Sequence, residues 1–222
     1  MMNKDYILRM AERFGRALAI ILQLRQSNKY EEALIAIDDM FLHTVGYTSS
    51  FINSASEEML LNLLSPLGVL NVEKCLWIAT LLKEEGNLYV ELDKEDESYY
   101  RYLKSLYFFL EASKHEDDVK DIDIAFTIED LVSKLEEYEL PLQIKSKLFR
   151  YFDKLGQYAK ADKMLLEMVE SEEEPVDNGM IEQGLAFYDR LMQKSDTDLQ
   201  AGGLARKEVE DGLGKLNEMR EE

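Results

Sequence analysis

Lys83 and Asn87 are the two residues whose types and spacing come closest to a binding site. They stand four residues apart in the segment KEEGN, so a helix would present both on one face. An ammonium and a side-chain amide can share one carboxylate, because both donate hydrogen bonds to its oxygens. The pair could therefore bind an acidic group of a partner, or it could be a surface pair with no such role.

The side chains that usually carry catalysis or metal binding are few and isolated. The two histidines, His43 and His115, stand alone near predicted helix ends, and Cys75 is the only cysteine. One thiol excludes an intrachain disulfide and a thiolate zinc site, and we expect Cys75 to be a buried thiol in a helix. The acidic segments DKEDES and HEDDVKDID lack the glycine and glutamate of a calcium loop. We therefore predict no catalytic residue, no metal site and no cofactor, and expect that the protein is not an enzyme.

The charge of the chain is strongly acidic, with a formal net charge of −19 from 26 basic and 45 acidic residues. An acidic surface opposes binding to nucleic-acid phosphates and to anionic membranes. Residues 1–29 differ, because they hold six basic residues against two acidic ones. No apolar run reaches the roughly 18 residues of a membrane span. These observations predict a cytoplasmic protein with no nucleic-acid partner and no membrane partner.

The hydrophobic pattern is helical almost throughout the 222 residues. Apolar residues recur at three- and four-residue steps from residue 4 to residue 26, as in an amphipathic helix. Similar runs predict about ten helices, with an irregular connection at about residues 44–55 and a capping box from Ser54 to Glu57. Residues 99–114 are apolar around most of the helix, which predicts a central helix with Tyr99 and Tyr100 partly exposed. No alternating run predicts a strand, so the fold class is all-α, an antiparallel array of helical hairpins.

The clearest internal repeat lies in residues 142–175. Gly156 ends one predicted helix, and Ala161 is the small residue that lets the second helix approach the first. Pro141 and Pro175 are 34 residues apart. This pattern resembles the tetratricopeptide repeat, a helix–turn–helix unit of 34 residues. The resemblance implies an α-α superhelix in which the first helix of each pair, helix A, lines a concave groove.

Two further segments carry a weaker form of the same signature. Each has a tyrosine, small residues where the two helices meet, and a residue other than glycine at the turn: Tyr30, Ala33 and Asn28 in the first segment, and Tyr89, Gly86, Ser98 and Asp93 in the second. Asn and Asp tolerate left-handed turns better than most residues, so these replacements are compatible with the turn. The spacing between the units is not a multiple of 34 residues, so we expect an interruption within residues 44–70.

A second similarity covers nearly the whole chain. The segments that carry it are DYILRMAERFGRALAIILQLR, YEEALIAID, LLKEEGNLYVELDKEDESYYRYLKSL and DLQAGGLARKEVEDGLGKL. They resemble a family of uncharacterised proteins from Gram-positive bacteria, a domain of unknown function with tetratricopeptide-like helices. This resemblance implies a single helical domain over residues 1–222, and it implies no activity, ligand or catalytic residue.

The repeat resemblance gives candidate positions for a partner-binding groove. In tetratricopeptide proteins that hold the acidic C-terminus of a chaperone, a Lys and an Asn four apart on helix A bind the carboxylate. Lys83 and Asn87 match that pair, although the clamp positions of the following repeats are not recovered. Arg150 and Asp153 lie on the helix A face of the late repeat, where they would line the concave groove. The leading functional prediction is therefore a scaffold or adaptor that binds a peptide or helix of another protein.

Self-association is the alternative functional prediction. The charged last helix, or the basic stripe Arg9, Arg13 and Arg16, would dock on an acidic face of another copy. The chain would then be a structural or regulatory protein that forms homo-oligomers. The partner itself, and the face that binds it, are left open by the sequence.

Overall fold

The computed structural model describes residues 4–115, 123–170 and 178–221, and the side chains of residues 15–115, 123–170 and 179–220. The described residues form twelve α-helices and one short 3₁₀-helix, with no strand among them. The prediction of an all-α fold is confirmed. The helix predicted to begin near His115 falls partly on residues 116–122, and Pro175 and the side chains of Arg9 and Arg13 also lie outside the described residues.

The contacts of the backbone divide the chain into two compact units, Met1–Tyr138 and Glu139–Glu222. The first unit contains α1 (Lys4–Gln26), α2 (Tyr30–Thr44), α3 (Ser49–Ser54), α4 (Glu57–Leu64), the 3₁₀-helix Pro66–Gly68, α5 (Val72–Glu91), α6 (Glu95–Ala112) and α7 (Ile124–Lys134). The second unit contains α8 (Leu142–Lys154), α9 (Tyr158–Val169), α10 (Asn178–Met192), α11 (Asp196–Ala201) and α12 (Arg206–Glu221). The single tetratricopeptide-like domain over residues 1–222 stays a prediction.

The three turns that the repeat pattern marked have the same backbone structure. The turn residue is left-handed in each case, with φ of 56° at Asn28, 54° at Asp93 and 71° at Gly156. In each turn the next backbone N–H donates to the carbonyl five residues earlier, which is the closure of a Schellman motif. These bonds are Lys29 to Leu24, Lys94 to Tyr89 and Gln157 to Phe152, each 2.9 Å. The predicted equivalence of Asn and Asp with the turn glycine is therefore confirmed.

Small residues lie where the helices of each pair come closest. Ala33 and Ala161 are fully buried, and Ser98 is almost fully buried. A Cβ atom placed on Gly86 in α5 would lie 2.5 Å from Cε1 of Tyr102 in α6, so a larger residue would push the two helices apart. These local features agree with the predicted repeat units. The superhelical arrangement of the units stays a prediction.

Helix α6 is the centre of the first unit. Its residues 104–112 are buried without interruption, and the helix packs against α5 and α7. The aromatic run that predicted a central helix is therefore mostly core. Tyr100 is 62% exposed, as expected for the start of that run, and the ring of Tyr99 lies at a tilt of 34° to that of Tyr138, with ring centroids 4.7 Å apart.

The connection at residues 44–55 differs from the sequence prediction, because it contains the six-residue helix α3. The hydroxyl of Thr48 caps this helix by accepting a hydrogen bond from the backbone N–H of Phe51 at 3.2 Å. Ser54 ends α3 and does not cap the next helix. The cap of α4 is Ser56, whose hydroxyl accepts from the N–H of Met59 at 3.2 Å. The capping box predicted from Ser54 to Glu57 is therefore wrong by two residues.

Two buried charged side chains hold α3 in place. Glu85 of α5 accepts hydrogen bonds from the hydroxyl of Ser49, from Nδ2 of Asn53 at 3.0 Å and from Nε of Arg101 at 3.3 Å. The carboxylate is only 2% exposed, so a loss of these donors would leave an uncompensated buried charge. This network orders a segment that has little apolar periodicity of its own.

Lys104 of α6 satisfies the carbonyl groups at the end of α3. Its ammonium donates to the carbonyl oxygens of Ile52, Asn53 and Ala55 at 3.0, 3.1 and 2.7 Å. Carbonyls at a helix C-terminus lack partners within the helix, and here three of them share one cation. Burial lowers the pKa of Lys104, while the neighbouring Glu57 carboxylate opposes that change. The lysine therefore has a structural role in this unit.

Candidate protein-binding groove

The second unit contains a cavity of about 470 Å³ between α8, α9 and α10. Apolar side chains form its floor, namely Phe149, Leu165, Met168 and Met180. Its rim carries two amides and a hydroxyl, from Gln143, Ser146 and Gln183. Pockets that bind ligands usually measure about 300–1,000 Å³ and combine an apolar lining with a few polar groups. Both the size and the lining of this cavity match that description.

The sequence of α8 explains why one side of the helix lines the cavity. Pro141 precedes the first helical residue with φ of −57°, a conformation that suits the entry to a helix. Ile144, Leu148 and Phe152 recur at steps of four residues and are buried. Phe149 lies at the edge of this apolar stripe and meets the ring of Phe187 in α10 edge to face, with centroids 5.2 Å apart. The aromatic contact fixes α10 against α8 beside the cavity.

Arg150 and Asp153 both reach from α8 to α10, along the seam between these two helices. Arg150 donates a hydrogen bond to Oε1 of Gln183 at 3.0 Å. Arg190 donates to Oδ1 of Asp153 at 2.6 Å. The two residues predicted to line a groove thus share one helix face, and Gln183, the partner of Arg150, lies on the rim of the cavity. We refer to the cavity and this seam together as the α8–α10 groove.

The α8 helix is basic, although the chain is acidic. It contains four basic residues and one acidic residue. Lys145 is buried on the inner side, where it pairs with Glu139 and lies 3.7 Å from Glu167. Arg150 and Lys154 are exposed, and Lys147 is half-buried. Arg150, which contacts the lining residue Gln183, therefore places positive charge on the outer side of α8 next to the cavity.

Lys83 and Asn87 make contacts within the first unit. Nζ of Lys83 lies 2.9 Å from Oδ2 of Asp130 in α7. The amide oxygen of Asn87 accepts a hydrogen bond of 2.9 Å from the Tyr102 hydroxyl, and its nitrogen donates to Glu84 at 3.3 Å. Burial raises the pKa of Tyr102 to about 12, and the nearby Asp130 carboxylate adds to the rise. The face that carries Lys83 and Asn87 is thus engaged by α6 and α7 of the same unit.

The four predicted partner-binding residues form two separate sets, one in each unit. Sequence reasoning did not find Ser146, Met180 and Gln183, which contribute to the cavity. Met180 and Gln183 belong to α10, whereas Arg150 belongs to α8. The local sequence pattern of α10 does not indicate which of its residues face α8. The excess of basic residues in α8, within a chain of net charge −19, is a signal in the sequence that could have indicated this site.

Cys75 is a buried thiol in a helix, as the sequence predicted. Cys75 is buried in α5, and its thiol donates to the carbonyl oxygen of Phe108 at 3.3 Å. Burial raises the pKa of this thiol to about 12, so it carries little thiolate. His43 lies in the last turn of α2. Within the described residues, no three His, Cys, Asp or Glu side chains are grouped closely enough to hold a metal ion.

Among the helices described, none combines the length and the apolar character that are needed to cross a membrane. A protein-family model matches the chain over residues 1–221, and its description is a family of unknown function (DUF6483). No curated protein matches the chain. No solved structure matches it either.

Proposed function

Since the chain belongs over residues 1–221 to DUF6483, a family of unknown function, we propose its function from its own geometry. The protein is a non-catalytic scaffold or adaptor that binds a peptide or helix of a protein partner in the α8–α10 groove. The observation that carries this proposal is the apolar cavity of about 470 Å³ beside an exposed basic helix face.

The lining of the cavity suits a polypeptide ligand. Its floor can receive one or two apolar side chains, which are the usual anchors of protein interfaces. The amide of Gln143 carries a donor and an acceptor, and that of Gln183 carries a donor beside the oxygen that already accepts from Arg150; a peptide backbone needs both kinds of group. An amphipathic helix laid into an apolar groove and an extended segment are both compatible with this lining.

The absence of an enzymatic role is part of the proposal. Among the described residues, only apolar, amide and hydroxyl side chains line the cavity. General acid–base catalysis requires a titratable group within hydrogen-bond reach of the reacting atoms. The part of the lining that the structure describes contains none, and this supports binding over turnover.

The test is affinity capture from a lysate of the source organism, at about 50 mM and about 300 mM salt. Ser146→Trp fills the cavity, and Arg150→Glu reverses the charge of its rim. Lys207→Glu is the matched control, because it makes the same change in net charge at an exposed position of α12. We expect wild type and Lys207→Glu to capture the same partners. Ser146→Trp should lose these partners, and Arg150→Glu should bind them more weakly. Equal capture by all four proteins would refute the proposal that partners bind in the α8–α10 groove.

Lys83→Glu belongs in the same experiment. Lys83 and Asn87 remain candidate partner-binding residues, and their contacts with Asp130 and Tyr102 would then have to open when a partner binds. Loss of a partner with Lys83→Glu, together with full retention by Ser146→Trp and Arg150→Glu, would move the binding site to the first unit.

The compartment that we propose is the cytoplasm of a Gram-positive bacterium. The chain has one cysteine, and the structure buries its thiol. A chain that relies on no disulfide suits a reducing compartment. The large acid excess favours a protein partner over a nucleic acid.

Self-association is the second candidate function, and one observation favours it. Residues 59–72 form an uncharged stretch that exposes several large apolar side chains. Exposed apolar patches on a charged surface mark interaction sites.

A further inference from the structure

Residues 59–72, which we call the 59–72 ridge, contain no charged side chain, although 32% of the chain is charged. The stretch covers most of α4, the 3₁₀-helix and the start of α5. Four of its large apolar side chains are exposed: Met59 to 52%, Leu63 to 45%, Val69 to 71%, and Leu67 fully. Single exposed apolar residues are normal, whereas a continuous uncharged ridge is a candidate interface.

Leu67 lies in the 3₁₀-helix of the ridge and has a backbone conformation that is unfavourable for leucine. Its φ is 61° and its ψ is 24°, in the left-handed region. The loop around it is closed, since the N–H of Asn71 donates to the carbonyl of Leu64 at 2.8 Å, and the N–H of Gly68 donates to that of Ser65 at 2.9 Å. A fully exposed side chain gains no burial that would offset this strain. Backbone outliers of this kind are often kept for a function.

The charges around the ridge restrict its partner. Glu73 and Lys74, of opposite charge, follow it in α5, and Glu57 and Glu58 precede it in the first turn of α4. Pairing of two ridges would bring these carboxylates together, and an anionic membrane would repel them. The partner must therefore offer an apolar receptor with a basic rim.

The α8–α10 groove has both properties. Its cavity has an apolar floor, and the exposed Arg150 places positive charge at its rim, on a helix with four basic residues and one acidic residue. Among the described helices, only α1 and α8 contain more basic than acidic residues. The side chains in the first half of α1 are not described, so α8 is the basic helix whose setting is known.

We propose that the partner in the α8–α10 groove is a second copy of this chain. The 59–72 ridge of one copy docks there, with Leu67 as its anchor, and Glu57 and Glu58 face the basic rim. This inference rests on the proposed function and names the ligand of the same groove. Because ridge and groove are different surfaces, the contact is heterologous, and it produces rings or chains of copies.

The experiment measures mass by light scattering after size-exclusion chromatography, from about 10 µM to about 1 mM protein. The mass of the wild type should rise with concentration above that of a monomer, to a closed ring of two or more copies or to longer chains, since each copy carries one ridge and one groove. Leu67→Asp removes the ridge anchor and Ser146→Trp fills the groove, so each variant alone should stay a monomer. An equimolar mixture of the two should form a dimer and nothing larger, because only one intact ridge and one intact groove remain.

Two further variants separate assembly from folding. Leu67→Gly removes the anchor but supplies the residue that best tolerates a positive φ, so it should fold normally and still weaken assembly at least about tenfold. Ile35→Asp is the matched control, because Ile35 is also a large exposed aliphatic residue, at 64%, but lies in α2 outside the ridge. Its assembly should equal that of the wild type.

A constant monomer mass for the wild type over the whole range would overturn this inference. So would normal assembly of Leu67→Asp and Leu67→Gly, or a mixture of Leu67→Asp with Ser146→Trp that stays monomeric although both are folded by circular dichroism. The groove itself is judged separately by capture. If Ser146→Trp still loses partners from the lysate while the wild type is monomeric, the groove binds another protein and only the second copy is excluded as its ligand.

Discussion

The hydroxyl of Tyr188 donates a hydrogen bond to Oδ1 of Asp162 at 2.6 Å, and this bond joins α10 to α9. Tyr188 is fully buried. Burial raises the pKa of the Asp162 carboxyl, Glu208 contributes to the rise, and the bond from Tyr188 opposes it. Burial and the Asp162 carboxylate raise the pKa of the tyrosine. Two of the three helices that border the cavity are therefore joined through a pair whose strength depends on the proton of Asp162.

This pair predicts a pH dependence of stability. The folded-state pKa of Asp162 lies above its ordinary value of 3.8, so folding favours the protonated form. The stability that it contributes is complete below 3.8 and is lost as the pH rises through the raised pKa. Asp162→Asn keeps an acceptor for Tyr188 but does not titrate. The unfolding free energy of Asp162→Asn minus that of wild type should therefore increase as the pH rises from 3.8 towards neutrality.

Urea unfolding at a series of pH values measures this difference. The comparison with wild type removes the contributions of the carboxylates that do not interact with Asp162, and it leaves those of Asp162 and of its neighbour Glu208. A difference that does not change with pH would mean that Asp162 has an ordinary pKa in the folded protein.

Replacement of Gly86 should destabilise the first unit. In Gly86→Ala the new methyl group would lie 2.5 Å from the ring of Tyr102, so α5 and α6 must separate. Overpacking of this kind usually costs about 1–3 kcal/mol. Gly214→Ala is the control, because no atom lies within 4 Å of the position of its Cβ and it is exposed in α12. That variant should gain about 0.5–1 kcal/mol from helix propensity. Thermal unfolding of both variants measures these opposite changes in stability. A loss of stability in both would contradict the inference that α5 and α6 approach each other too closely at Gly86 for an added methyl group.

Local chemistry explains which parts of the fold could be predicted from the sequence. The turns at Asn28, Asp93 and Gly156 were predictable because few residue types tolerate a positive φ. The position of Cys75 followed from the apolar pattern of its helix. The helix α3 was missed because six residues are too few to show a period, and because contacts from distant residues hold it.

The candidate site was predictable only where one helix determined it. Arg150 and Asp153 share a face of α8, so their common orientation follows from a spacing of three residues. The spacing of Lys83 and Asn87 also gives a common face, but it does not say what covers that face. Asp130 and Tyr102 cover it, and both are distant in sequence. The cavity was not predictable at all, since it depends on the packing of three helices.

Removal of the Lys104 ammonium should release α3. Lys104→Met keeps most of the apolar stem but leaves the carbonyls of Ile52, Asn53 and Ala55 without their donor. Buried acceptors that lose a charged partner cost several kcal/mol, and we expect a loss of about 3 kcal/mol. Lys114→Met is the control, because Lys114 is about half exposed and, among the described residues, forms an ion pair with Glu111 three positions earlier in the chain.

Hydrogen exchange of the backbone amides in α3 measures the local part of that effect. These amides should exchange much faster in Lys104→Met than in Lys114→Met, because α3 loses the cation that binds its C-terminus. Equal protection of α3 in both variants would show that the Glu85 network holds this helix alone.

A charge swap separates a structural role of Lys83 from a binding role. Lys83 is paired with Asp130 at 2.9 Å and is largely buried, so Lys83→Glu places two carboxylates together and should lower the melting temperature. The double variant Lys83→Glu/Asp130→Lys restores an opposite pair and should recover most of that loss. If Lys83 acts only within the fold, the double variant should also capture partners as well as wild type does. A stable double variant that still fails to capture them would show instead that the partner contacts the ammonium at position 83 directly.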